Sequence, residues 1–360
     1  QYTSSAASDV YKRQVSDSDT QVDYTVTFSE PISGMGSSDV TVTGGTLVAN
    51  SVTVADDDLS ATFSVTADDN STADLSVTVM GTVADVYGNF LAKTADSSAE
   101  TVDTVNPVAP VIEILDTYAT LQDAQTGAFS VTAEDQAQIT LTLTGSNTAN
   151  AASEEGAMAS STVTIEMTGT GEAQGVSLTQ PQVEALGDGV VTISATQVDE
   201  HGNTQDVLAS TASFTLDTRD PSIAEGDDKV DAQGAGEDDV VVDADVEAST
   251  ITVTAIFDED MNTAVIPDVI LSPNVETTLT EVDSGSWDAD GRTFAISYTV
   301  SDDNFDANAV SVDVTGAQDV AGNVMTDYTA SVELSIDTQN PTVTQITSTF
   351  AVSYTHLRAH

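Results

Sequence analysis

Two short acidic signatures, always in the same order, are the residues of this chain best suited to chemistry. Asp85-Val-Tyr-Gly88-Asn89 precedes Asp103-Thr104-Val-Asn106-Pro107. Asp199-Glu-His-Gly202-Asn203 precedes Asp217-Thr218-Arg-Asp220-Pro221. Asp319-Val-Ala-Gly322-Asn323 precedes Asp337-Thr338-Gln-Asn340-Pro341. The two leading aspartates stand 18 residues apart each time (85 to 103, 199 to 217, 319 to 337). Carboxylates and Asn side chains are oxygen donors, and a hard cation such as Ca²⁺ takes about six to eight of them. The candidate ligands are therefore Asp85 and Asn89, Asp103 and Asn106, Asp199 and Asn203, Asp217 and Asp220, Asp319 and Asn323, and Asp337 and Asn340.

A purely structural reading stands beside the metal one. Asp-x-x-Gly-Asn also describes a turn whose Gly takes positive φ and whose Asn caps its neighbours. D-T-x-x-P also describes a strand end followed by a Pro that opens an edge. Spacing alone does not say whether the two signatures feed one ion. His201 falls within one copy of the loop, but the same place holds Tyr87 and Ala321 in the others. A site that repeats without its histidine does not use it, so His201 reads as a solvated loop residue.

The elements that carry these signatures are strands. The period of the signature is 114 and then 120 residues (85 to 199, 199 to 319), which marks a repeat array. Three modules follow, at about 15–106, 107–220 and 221–340, with 341–351 as the opening strand of a fourth, so the array is expected to continue. Apolar residues alternate with polar ones, as in Val22, Tyr24, Val26 and Phe28, or Ile251, Val253, Ala255 and Phe257. Period two means half-buried strands. The third module offers about seven such runs, near 240–246, 250–257, 264–272, 276–286, 293–300, 309–316 and 328–336. Asp288-Ala-Asp290-Gly291 reads as a hairpin turn, and Trp287 as a core residue rather than a sugar platform. The first and third modules share further strings: Phe28-Ser-Glu30 with Phe257-Asp-Glu259, and Asp68-Asp69-Asn70 with Asp302-Asp303-Asn304.

Val26-Thr-Phe-Ser-Glu-Pro-Ile-Ser-Gly resembles one type of bacterial Ig-like domain. Ala185-Leu-Gly-Asp-Gly-Val-Val-Thr-Ile-Ser-Ala-Thr-Gln-Val-Asp-Glu-His-Gly-Asn, closing on Phe214-Thr-Leu-Asp-Thr, is similar to the type tiled through large repetitive adhesins. The resemblance spans nearly all of 15–350. It implies an all-β chain of tandem immunoglobulin-like β-sandwich modules arranged end to end. It also implies an extender that holds a distal binding domain away from a bacterial cell, with Ca²⁺ stiffening the module junctions.

Composition agrees with an extracellular structural role. There are 59 acidic and 7 basic side chains, a formal charge of −52, and no cysteine. So negative a surface repels nucleic acid and anionic membranes. Thiolate chemistry, disulfides and Cys-based zinc are excluded. No run of 18 apolar residues offers a membrane span. No nucleophile elbow, His pair at metal spacing or phosphate-binding loop occurs, so no enzyme is expected. The expected partners are neighbouring Ig-like modules of the same chain, with a glycan or host surface protein engaged by other parts of the parent. Two alternatives remain. One is a carbohydrate- or protein-binding module using Trp287 or Tyr118; the other is an accessory region of a large secreted hydrolase. Residues 1–14 and 352–360 resemble adapter-derived translations and are left out of the fold reasoning. The stretch 224–247 reads either as a disordered acidic insert or as an irregular first strand.

Overall fold

In a computed structural model of the chain, residues 15–146, 161–206, 208–224, 230–233, 240–246, 250–329 and 333–349 are described. The two tails and much of the acidic stretch 224–247 lie outside them. The chain divides into two compact units, Gln1–Asp217 and Thr218–His360. The first holds two β-sandwiches and the second holds one.

In the first sandwich, strand Gln21–Thr27 pairs antiparallel with Ser60–Ala67, which also carries Gly45–Leu47 and Thr53–Val54. The facing sheet runs Val40–Thr43, Ser76–Val79, Ala95–Asp96. Alternation does the sorting: Ala61, Phe63, Val65 and Ala67 are buried while the residues between them are not. Tyr24 lies opposite Phe63 and stacks on it, with ring centroids 5.7 Å apart. Phe63, Val65, Leu75 and Val77 form the centre of this core.

The second sandwich sets Gln174–Val176, Phe129–Thr132 and Val111–Ile114 against a five-stranded sheet. That sheet runs Ser161–Thr168, Gln138–Gly145, Gly189–Val198, Ser210–Leu216 and, in parallel, Tyr118–Ala119. Two helical turns, Leu121–Thr126 and Gln180–Leu186, run against the expectation of strands alone. Each is announced by a capping box. Thr120 accepts from the Asp123 N–H while Asp123 accepts from the Thr120 N–H, and Gln182 accepts from the Thr179 N–H. Ala124, Val183 and Leu186 carry these turns into the core.

In the second unit one sheet runs Val230–Gln233, Thr250–Ile256, Thr293–Val300, Leu279–Glu281, with Ser286–Trp287 also on Thr293–Val300. The other runs Val240–Val242, Leu334–Asp337, Asp306–Thr315, Asp268–Ser272. The expected run at 276–286 is thus two short strands, and the stretch 224–247 holds strands Val230–Gln233 and Val240–Val242, in line with the irregular-strand alternative. Ser286–Trp287 and Thr293–Val300 meet at the anticipated hairpin, where Gly291 has φ +69° and Asp290 accepts from the Arg292 and Thr293 N–H groups. Trp287 is a core residue. Its ring lies 5.4 Å from both Phe257 and Phe294, and its indole N–H donates to the Val265 carbonyl.

Candidate functional site

All three Asp-x-x-Gly-Asn loops close on themselves in the same way. Asp85 Oδ1 accepts from the N–H groups of Tyr87 and Asn89, both at 2.8 Å, and Oδ2 from the Asn89 side-chain amide at 2.8 Å. Asp199 does the same with His201 and Asn203, at 2.8, 2.8 and 2.7 Å. Asp319 accepts from Gly322 and Asn323 N–H and the Asn323 amide, at 2.6, 2.9 and 2.8 Å. Gly88, Gly202 and Gly322 have φ of +90°, +92° and +101°, a region open to Gly and costly for other residues. The Asp carboxylate is thus the staple of its own loop. At Asp85 the Asn89 side-chain amide, then the Asn89 N–H, hold the carboxyl below the ordinary range.

The D-T-x-x-P ends are built around the threonine. Thr104 and Thr338 are fully buried. Thr104 Oγ1 donates to the Asp68 carbonyl at 2.8 Å and accepts from the Ser71 N–H at 2.9 Å. Thr338 Oγ1 accepts from the Phe305 N–H at 3.0 Å. Each threonine therefore pins its strand end to the Asp-Asp-Asn turn shared by the first and third modules, where Asn70 and Asn304 sit at φ +50° and +51°. Asn304 Oδ1 in turn accepts from Asn340. Asp103 and Asp337 accept from the N–H two residues on, at Val105 and Gln339. Asp217 donates its N–H to the Ala119 carbonyl, and Asp220 is exposed. No Asp-Asp-Asn turn occurs in 107–220, and Thr218 is exposed.

Within the first repeat the two signatures do not meet. No hydrogen bond joins Asp85 or Asn89 to Asp103 or Asn106 among the described residues. They meet instead across repeats. Asn203, fully buried, accepts from the Asp17 N–H at 2.8 Å and donates to the Asp103 carbonyl at 3.0 Å, while its amide also holds Asp199. The Gly-Asn loop of the second sandwich is thereby fastened to the first sandwich at Asp17 and Asp103. His201 Nδ1 lies 3.1 Å from Asp103 Oδ2. The reading of His201 as a solvated loop residue is therefore corrected: its ring faces the neighbouring sandwich's carboxylate. Repetition could not reveal this, since Tyr87 and Ala321 offer no equivalent.

Around this fastening lies a concentration of oxygen. Ligand atoms of Asp103, Asp199 and His201 all fall within 4.8 Å of one another. Burial pushes the Asp17 carboxyl above its ordinary value, followed by the charge of Asp69; Asp206 and Asp199 add to it, and a hydrogen bond from the Asn106 side chain opposes. Asn106 Oδ1 is buried and accepts no hydrogen bond. Asp17 escaped the sequence reading because it belongs to neither signature.

Among curated proteins none matches the chain. Several solved structures overlap it loosely. A 1.5-MDa bacterial ice-binding adhesin is 22% identical, covering 91% of this chain and 95% of that one, with a TM-score of 0.40. An S-layer protein is 12% identical, covering 88% of this chain and 52% of that one, with a TM-score of 0.22. Native α2-macroglobulin from Escherichia coli, domains MG0-NIE-MG1, is 11% identical, covering 87% and 92%, with a TM-score of 0.23. The family model described as "Bacterial Ig-like domain" matches residues 5–102. Those residues include the first pair of facing sheets, and this stretch of the chain is similar to a bacterial Ig-like domain.

Proposed function

We propose that the chain is a non-catalytic spacer from a bacterial cell-surface or secreted adhesin, built of tandem Ig-like modules whose junctions bind Ca²⁺. The observation that carries this reading is the Asn203 fastening. It joins the loop of one sandwich to Asp17 and Asp103 of the one before it, close to the boundary read from the repeat at 106/107. A boundary at 220/221 belongs to the same proposal.

The residues at the first junction fit the ion. The Asp103 carboxylate, the Asp17 carboxylate and the unpartnered Asn106 Oδ1 are hard oxygen donors. The Asp199 carboxylate, with three donors already on it, has lone-pair capacity left. The Gly-Asn loop asparagines are engaged elsewhere and are not needed as ligands. A bound cation would supply positive charge where Asp17, Asp69, Asp199 and Asp206 repel one another. Extracellular modules bind Ca²⁺ at about 10⁻⁴ to 10⁻³ M, and binding only the folded state adds stability by mass action. The −52 charge supports an exterior setting, where it keeps the chain soluble. No helix among the described residues is long and apolar enough to cross a membrane.

Small-angle scattering on the full chain, with Ca²⁺ and then with chelator, tests the proposal. A maximum dimension that shortens or broadens on chelation is expected, and calorimetry should show Ca²⁺ affinity falling in Asp103→Asn. Identical scattering curves in the two conditions would remove the calcium part and leave the fastening in place.

A further inference from the structure

The third sandwich contains a cleft that the first has closed. In the first, strand Val40–Thr43 passes to Gly45–Leu47 through Gly44 alone. That corner is tight: a Cβ on Gly45 would stand 2.5 Å from the Thr66 carbonyl oxygen and 2.7 Å from Leu75 Cδ1. In the third, the corresponding strands Asp268–Ser272 and Leu279–Glu281 are separated by residues 273–278. Both are the last strands of their sheets, so two strand edges flank the opening. The space between them measures about 670 Å³, within the usual range for small-molecule sites of about 300–1,000 Å³.

Matched register shows what changed inside. Gly45 pairs with Ala67 and Leu47 with Val65 in the first sandwich; Leu279 pairs with Val300 and Glu281 with Tyr298 in the third. An apolar pair, Leu47 and Val65, thus gives way to a carboxylate beside a phenol. Tyr298 is 3% exposed, lines the cleft, and its hydroxyl has no hydrogen-bond partner. A buried donor left unpaired is destabilising, more so than the apolar side chain it replaces. Burial, with Glu281 adding, pushes this hydroxyl up to about 12, so it stays a donor under all ordinary conditions. Leu271, Leu279 and Ile296 supply apolar wall, while Asp268, Glu276 and Glu281 bring carboxylates to the same space.

We propose that this cleft binds a neutral pyranose sugar unit. Three carboxylates in a chain of charge −52 repel anions. An ammonium ion could donate to the phenol oxygen but would leave the buried phenol O–H without an acceptor, because ammonium has donors only. A sugar hydroxyl does both. It can accept from Tyr298 and donate to Glu281, and the ring's C–H face can lie on the aliphatic wall.

The test uses the full chain and the methyl glycosides of glucose, galactose, mannose and N-acetylglucosamine, each titrated by calorimetry and ligand-observed NMR up to about 20 mM, a concentration that reveals weak complexes. At least one is expected to bind, and Tyr298→Phe should weaken it about three- to tenfold, one neutral hydrogen bond's worth. Glu281→Gln should weaken it as well. Tyr298→Phe should fold as the parent does, because the lost hydroxyl has no partner in the protein. Absence of binding by all four glycosides overturns the proposal, as does binding that neither substitution alters. Neither result touches the spacer reading, which rests on the junction in the other unit.

Discussion

The side-chain amide of Asn203 donates to the main-chain carbonyl of Asp103, exactly one hundred positions earlier in the chain, at 3.0 Å. Its Oδ1 accepts from the main-chain N–H of Asp17 at 2.8 Å. One buried asparagine therefore satisfies two backbone groups of a neighbouring sandwich and one carboxylate of its own loop.

Asn203→Ala removes all three contacts and leaves buried polar groups without partners, so it should cost about 2–4 kcal/mol. The loss should be local. Hydrogen exchange at the Asp17 amide should accelerate strongly, whereas Asn89→Ala, whose side chain only closes its own loop, should leave that amide protected.

The Asp17 carboxyl sets a pH dependence at the same place. Its pKa is raised in the folded chain, so folding favours the protonated form. That contribution is full below the ordinary aspartate value, about 3.9, and is lost as pH rises through the raised value. In chelator, the first unit should therefore lose stability as pH climbs out of the acid range. Asp17→Asn should flatten this segment of a denaturation-versus-pH curve.

Thr104 and Thr338 do equivalent work in separate units. Thr104→Val orphans the Ser71 N–H and the Asp68 carbonyl, and Thr338→Val the Phe305 N–H. Each should cost about 1–3 kcal/mol. Calorimetric scans of the full chain should show a different transition shifting for each variant, since the two residues lie in different compact units.

Tyr298 predicts an alkaline limit for the second unit. Its folded pKa is about 12 against 10.0 for the free phenol, so the unfolded chain ionises first. Stability is intact below pH 10 and falls as pH rises towards 12. Tyr298→Phe should move this unit's alkaline unfolding upward, as followed by circular dichroism.

Much of this architecture could be read from residue order. Alternation along Val22–Val26 and Ile251–Phe257 located strands because a pleat exposes one face and buries the other. The signatures were legible as loops because only Gly tolerates the backbone at 88, 202 and 322. The helical turns at 121–126 and 180–186 were written in their Thr-x-x-Asp and Thr-x-x-Gln boxes, but a search for period two passes over so short a signal. What no pattern could supply was the pairing of one repeat's loop with another repeat's strand end. That contact joins residues separated by a whole module; of its further participants, Asp17 belongs to neither signature, and the place of His201 is held by Tyr87 and Ala321 in the other repeats.

The Asn203 fastening engages main-chain atoms, and every amino acid except proline presents the same N–H and C=O. Side chains on the receiving face are therefore at liberty to diverge without loosening the joint.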